Sequence, residues 1–221
     1  MKTDSQLQQD VMAELKWEPS VHAAQIGVEV KDGVVSLSGE VSSYVEKWNV
    51  ESAAQRVSGV DALAVEITVK LSEFGKRTDT DIARSAESIL SWSSTIPAGA
   101  VKVLVEGGWL TLSGEVEWQY QRQDAAKSVR YLSGVIGVSN QIAIKTTVSP
   151  TPSASVVKSE IEAALKRRAV ADANSITVGV TAGDVTLTGT VHSWAERELA
   201  RRSAWASPGV NKVVDKMAIV Y

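Results

Sequence analysis

Gly39, Gly114 and Gly189 stand 75 residues apart, and nearly every other legible feature of this 221-residue chain falls on the same register. Ser38-Gly39, Ser113-Gly114 and Thr188-Gly189 each sit late in a hydrophobic strand pattern, and Gly59, Gly134 and Gly209, each followed by Val, recur with the same offset. Self-similarity at a fixed period means that one supersecondary unit has been copied, so the chain is three tandem units rather than one or two average domains. Residues 3–71, 78–146 and 153–221 align without an insertion. The predicted organisation is a first domain over 1–71, a linker over 72–77, a second domain over 78–146, a linker over 147–152 and a third domain over 153–221. A unit of this size buries only roughly 60% of its unfolded surface, so contact with a neighbour is expected to add stability.

Two periodicities alternate within each unit. Leu7, Val11 and Leu15 recur every four residues, as do Ile82, Ala86, Leu90 and Val157, Ile161, Leu165, which predicts an amphipathic helix. Thr3, Thr78 and Ser153 precede it where a side-chain oxygen caps the first turn, and Thr3 with Gln6 fits a capping box. Pro19 and Pro97 lie past its end. Ile26, Val28 and Val30 and their equivalents then alternate with polar or small residues as a strand does. Asp32-Gly33, Gly107-Gly108 and Ala182-Gly183 follow, and the first two pairs suit a two-residue turn with positive φ, so the flanking strands should pair antiparallel.

A second helix is expected from about Ser43 to Ser58 and its equivalents, opened by capping boxes at Ser43/Glu46 and Ser193/Glu196 and closed by Gly59, Gly134 and Gly209 at the C′ position. A third strand follows through Leu63, Val65, Ile67 and Val69. Its copies place Asn140 and Asp215 on the inward face. The predicted class is α+β: three α-β-β-α-β units, each a three-stranded mixed sheet covered on one face by two helices. The favoured order puts the second strand in the middle, antiparallel to the first and, through a right-handed crossover, parallel to the third; the order with the first strand central stays open. Pro150 and Pro152 stiffen the second linker, whereas Gly75 leaves the first freer.

The string Trp17-Glu18-Pro19, then Ile26 to Gly39, then Ala53-Ala54-Gln55-Arg56-Val57-Ser58-Gly59-Val60 resembles the BON domain, a family named from osmotically inducible protein Y and nodulation proteins. The resemblance covers all three units and is loosest in the third, where Arg167 replaces the Trp and Ala182 the turn Asp. It implies a non-enzymatic module of bacterial envelope and osmotic-stress proteins that contacts phospholipid surfaces or partner proteins, commonly in the periplasm. Cytosolic relatives, including a potassium-binding one with a LysM module, also belong to the family, and no LysM-like segment remains here. Residues 1–17 lack the apolar stretch of about 7 to 15 residues that a secretory signal needs. The chain as written is therefore expected in the cytoplasm, and in the periplasm if a leader has been removed.

Little in the sequence supports catalysis. There is no Cys, and His22 and His192 neither align under the offset nor have a helical partner, so no metal site, cofactor or catalytic residue is expected. Gly107-Gly108 precedes a strand and is a turn rather than a phosphate loop. A net charge of −3 and the lack of a shared basic stripe argue against nucleic acid.

Tryptophan and charge distinguish the copies. Trp17 and Trp92 are equivalent and lie about 200° around the first helix from its core stripe, where they either cover the helix-to-strand connection or stand exposed for a lipid headgroup region or a partner's groove. Trp48, Trp109, Trp118, Trp194 and Trp205 do not align, which favours packing or surfaces particular to one unit. The first unit carries five cations against eleven anions, the second six against seven, and the third nine against seven. Lys166-Arg167-Arg168 at the end of the third unit's first helix, with Arg197, Arg201 and Arg202 on its second, form the candidate contact for an anionic phospholipid surface, to which each cation contributes about 1 kcal/mol. The same residues also read as a solvated face, or as the site of head-to-tail self-association with the acidic first unit of another molecule.

Overall fold

The structure, a computed structural model, describes residues 2–145, 153–167, 175–210 and 212–220. In the first unit, α1 (Asp4–Trp17) leads through a short 3-10 turn (Ala23–Gln25) to β1 (Ile26–Lys31) and β2 (Val34–Val41), followed by α2 (Tyr44–Arg56) and β3 (Ala62–Val69). The second contains α3 (Asp79–Trp92), β4 (Val101–Glu106), β5 (Trp109–Val116), α4 (Gln119–Arg130), β6 (Gly137–Asn140) and β7 (Ala143–Ile144). The third contains α5 (Ala154–Arg167), β8 (Ile176–Thr181), β9 (Asp184–Val191), α6 (Trp194–Trp205) and β10 (Lys212–Ile219).

In each unit the second strand is central, antiparallel to the first and parallel to the third. That is the favoured order. The registers superimpose under the 75-residue offset, as Ile26↔Gly39, Val101↔Gly114 and Ile176↔Gly189 illustrate. In the second unit the last strand is interrupted between β6 and β7, although both pieces keep one register on β5. The Asn140 side chain bridges the gap, donating to Arg122 O and accepting from Ile142 N. Asp215 makes the equivalent bond to Met217 N in an unbroken strand.

The three stripes expected on the first helices are all buried, each against the sheet and second helix of its own unit. Thr3 and Thr78 accept from the third helical N–H, and Gln6 returns a bond to Thr3 N. Gly39, Gly114 and Gly189 lie on the central strands at φ 136°, 123° and 117°. A Cβ there would sit about 2 Å from the carbonyl oxygen of Gln25, Ala100 or Ser175, a contact no side chain tolerates. The register thus repeats because one close approach of backbone to backbone repeats.

Two expectations need correction. Gly59, Gly134 and Gly209 do have positive φ, but each helix ends earlier, at Arg56, Arg130 and Trp205, so the glycines shape the turn beyond the cap and are not its C′ residue. Gly59 and Gly134 let that turn approach the first helix: a Cβ would meet Leu7 at 3.2 Å and Ile82 at 2.8 Å respectively. The capping boxes of α2 and α6 are also half displaced. Ser43 and Ser193 accept as expected, whereas the Glu46 and Glu196 carboxylates reach one residue further back, to Ser42 N and His192 N. In the second unit Gln121 spans both places, accepting from Glu117 N and Trp118 N.

The hairpins carry a clamp that sequence reasoning missed. Asp4, at the start of α1, accepts from Asp32 N and Gly33 N, and Asp79 accepts from Gly107 N and Gly108 N at 2.7 and 2.8 Å. The turn amides are thereby satisfied by a carboxylate that also favours the helix N-terminus. The third unit has Ala154 in that place, and its turn begins at Ala182 with φ 49°. The linker over 72–77 forms a turn closed by Gly75 N and Lys76 N on Ser72 O. The Pro-containing linker over 147–152 lies outside the described residues.

Candidate functional site

Where the units meet, one position of the repeat is decisive. Tyr44, Gln119 and Trp194 are equivalent and open the second helices of the three units. Tyr44 packs against the core of the second unit, and four residues on, Trp48 carries the Arg130 guanidinium at 3.8 Å over its ring. Trp194 packs against the core of the first unit and donates its indole N–H to Val60 O at 2.8 Å, while Ser58 Oγ donates to His192 O. The first unit therefore sits between the other two, presenting the start of α2 to one and the turn just beyond the same helix to the other. Gln119 has a buried Oε1 without a hydrogen-bond partner among the described residues.

Electrostatics at the first junction follow from burial. Desolvation pushes the Glu51 carboxyl up, against the pull of Lys47 and Arg130. Burial likewise raises the Tyr44 phenol, with Arg130 and a Val138 backbone bond opposing, and pulls the Arg130 guanidinium down. Glu46 differs. Burial favours its neutral form, but bonds from His22 N, His22 Nδ1, Ser42 N and Ser42 Oγ outweigh that and hold its pKa low.

Helices α2, α4 and α6 converge on a cleft of about 1000 Å³ lined by all three units. Arg56, Lys127, Arg130, Arg197, Arg201 and Arg202 line it with three carboxylates, Asp124, Glu198 and Asp215. Arg197 and Arg201 share Asp215, and Arg201 and Arg202 share Glu198. Arg56 is held by Glu14 and Glu18. Among the described residues no carboxylate lies within ion-pair distance of Lys127 or Arg130, although Glu51 attracts Arg130 at longer range. The basic cluster that the sequence singles out on α6 thus faces a junction, largely paired. Of the rest of that cluster, Lys166 and Arg167 fall within α5, with side chains outside the described residues, as is all of Arg168.

Trp17 and Trp92 are 83% and 87% exposed, so they do not cover the helix-to-strand connection. Trp17 borders two shallow depressions that also contain Glu14 and Arg56. His22 bonds Glu46, and His192 Nδ1 donates to Val220 O. Among the described residues no group of three or more His, Cys, Asp or Glu side chains is placed to hold a metal ion, and no helix is long and apolar enough to cross a membrane.

Small open-faced α-β-β-α-β units, repeated in tandem and joined through their second helices, define a modular array whose chemistry is that of surfaces and junctions. The BON domain family matches residues 3–70, 78–146 and 153–221, and the chain belongs to it. It is 30% identical over 146 residues to Osmotically-inducible protein Y of Escherichia coli (strain K12), a match covering 64% of this chain and 73% of that protein. Solved structures with some likeness include CdsD, a structural protein of the type III secretion system of Chlamydia trachomatis, at 15% identity over 96% of this chain and 91% of that one. Another is the PrgH periplasmic domain, at 10% identity over 89% and 96%. Their TM-scores of 0.27 and 0.23 lend no weight to any argument about this chain.

Proposed function

We propose that this protein is a non-enzymatic binding protein of bacterial stress and envelope homeostasis that contacts phospholipid surfaces through Trp17 and Trp92, with the basic third unit adding attraction to anionic headgroups. The observation that carries the reading is the exposure of these two equivalent indoles on a chain related to an osmotically inducible protein. Indole suits the membrane–water interface because its body is apolar and its N–H is polar. Charge divides the labour. Trp17 belongs to the acidic first unit and neighbours Glu14 and Glu18, so its contribution is apolar insertion, and the long-range attraction must come from elsewhere.

Sedimentation with vesicles of phosphatidylglycerol and phosphatidylcholine tests this. The wild type should co-sediment at low salt, and W17A/W92A should lose at least fivefold in affinity while its circular dichroism is unchanged. Absence of binding at low salt, or binding indifferent to the double substitution, would remove the lipid reading and leave a protein scaffold, for which a partner of defined stoichiometry is the evidence to seek.

A further inference from the structure

We propose that the cleft between the three units binds a small, multiply charged phosphate ligand, held by Lys127 and Arg130 of the second unit and Arg201 and Arg202 of the third. Three observations converge on it. The first is size: about 1000 Å³ is ample for a polyphosphate or a phosphorylated metabolite. The second is how charge is distributed. The chain is net negative and its first unit carries eleven carboxylates, yet none of them lines the cleft, where that unit presents Trp48, Ser52, Gln55 and Arg56. Six cations thus line the cleft with three carboxylates, and of the six only Arg56 is paired with first-unit carboxylates, Glu14 and Glu18, which lie outside the lining.

The third observation is unused bonding capacity. Arg197 and Arg202 each engage a carboxylate through Nε, and Arg201 shares both carboxylates with them. Among the described residues Lys127 has no carboxylate partner, and Arg130 rests on an aromatic face, partly withdrawn from water. A guanidinium fork and an ammonium arranged around a common space suit tetrahedral phosphate oxygens. The repeat supports the same conclusion. The position occupied by Lys127 holds Ser52 in the first unit and Arg202 in the third, and that of Arg130 holds Gln55 and Trp205, so these cations belong to the junction and not to the common scaffold.

A phosphate group could arrive on a soluble molecule or on a lipid headgroup, and the test separates the two without depending on Trp17 or Trp92. Sodium tripolyphosphate is titrated calorimetrically into the full chain, alongside orthophosphate and phosphatidylglycerol vesicles. Tripolyphosphate should bind with one site per chain, at least tenfold more tightly than orthophosphate, and more weakly as salt rises. Lys127 is exposed, so K127E should fold normally and lose at least tenfold in affinity. K216E, the same charge change on the open face of the third sheet, should bind like the wild type, which excludes a general effect of net charge. The proposal is overturned if tripolyphosphate does not bind at low salt, if K127E and K216E behave alike, or if only vesicles respond to K127E.

Discussion

The first and third units pair their strands in the same register, yet their hairpins are held differently. In the first unit the Asp4 carboxylate clamps both turn amides and the left-handed turn residue is Asp32 at φ 51°; in the third there is Ala154, and an Ala, Ala182, takes the same conformation at φ 49°. The third unit also contacts the first through the Trp194 indole and the Ser58–His192 bond. What survives copying is the backbone's demand for glycine. The clamps are free to vary, whereas contact with the first unit is kept both by the clamped second copy and by the unclamped third.

The largest effect should come from breaking what the two units share. Gly39→Ala and Gly189→Ala would each place a Cβ about 2 Å from a carbonyl oxygen, and each should cost about 3 kcal/mol or more, measured by urea denaturation. Equal losses support a common scaffold; a tolerant Gly189 would break the comparison. Trp194→Ala removes the indole bond and its packing and should cost about 2 to 3 kcal/mol, resolving a separate, earlier transition for the third unit. Asp4→Ala should lose about 1 to 2 kcal/mol by stranding two turn amides, while Ala154→Asp should gain up to about 1 kcal/mol in the third unit. Smallest of these, Ala182→Gly should relieve the left-handed strain and add about 0.5 to 1 kcal/mol.

Acid distinguishes the units too. Glu46 has a folded pKa below its unfolded value, so its contribution is fully present above the unfolded pKa, near 4.5, and is lost as pH falls through the folded one. Gln121 does the corresponding work in the second unit without a charge. Glu46→Gln should therefore flatten the fall in melting temperature below about pH 5, at the expense of stability at pH 7.

Most of each unit was legible because its signals are local. A four-residue stripe, a two-residue turn and a helical crossover determine the strand order with little help from elsewhere. The Asp4 and Asp79 clamps recur on the repeat yet carry no distinct signal in sequence, since an acid in a first turn already has an explanation in the helix dipole. Trp194 aligns with no other tryptophan, and its equivalence to Tyr44 acquires meaning only where each aromatic packs on a neighbouring unit. Lys127 and Arg130 could not be singled out, because a period reports what the copies share and is silent on how they face one another. The basic residues of α6 were found by sequence, but their pairing with Glu198 and Asp215 appears only when α6 and β10 are brought together.

That the copies interlock, and that the cleft exists because they do, is tested most directly at the Trp194 indole. In amide and indole exchange followed by nuclear magnetic resonance, its Nε1–H should exchange far more slowly than those of exposed Trp17 and Trp92 and show an Overhauser contact to Val60. An indole proton exchanging as fast as those two, with no contact to the first unit, would contradict the account.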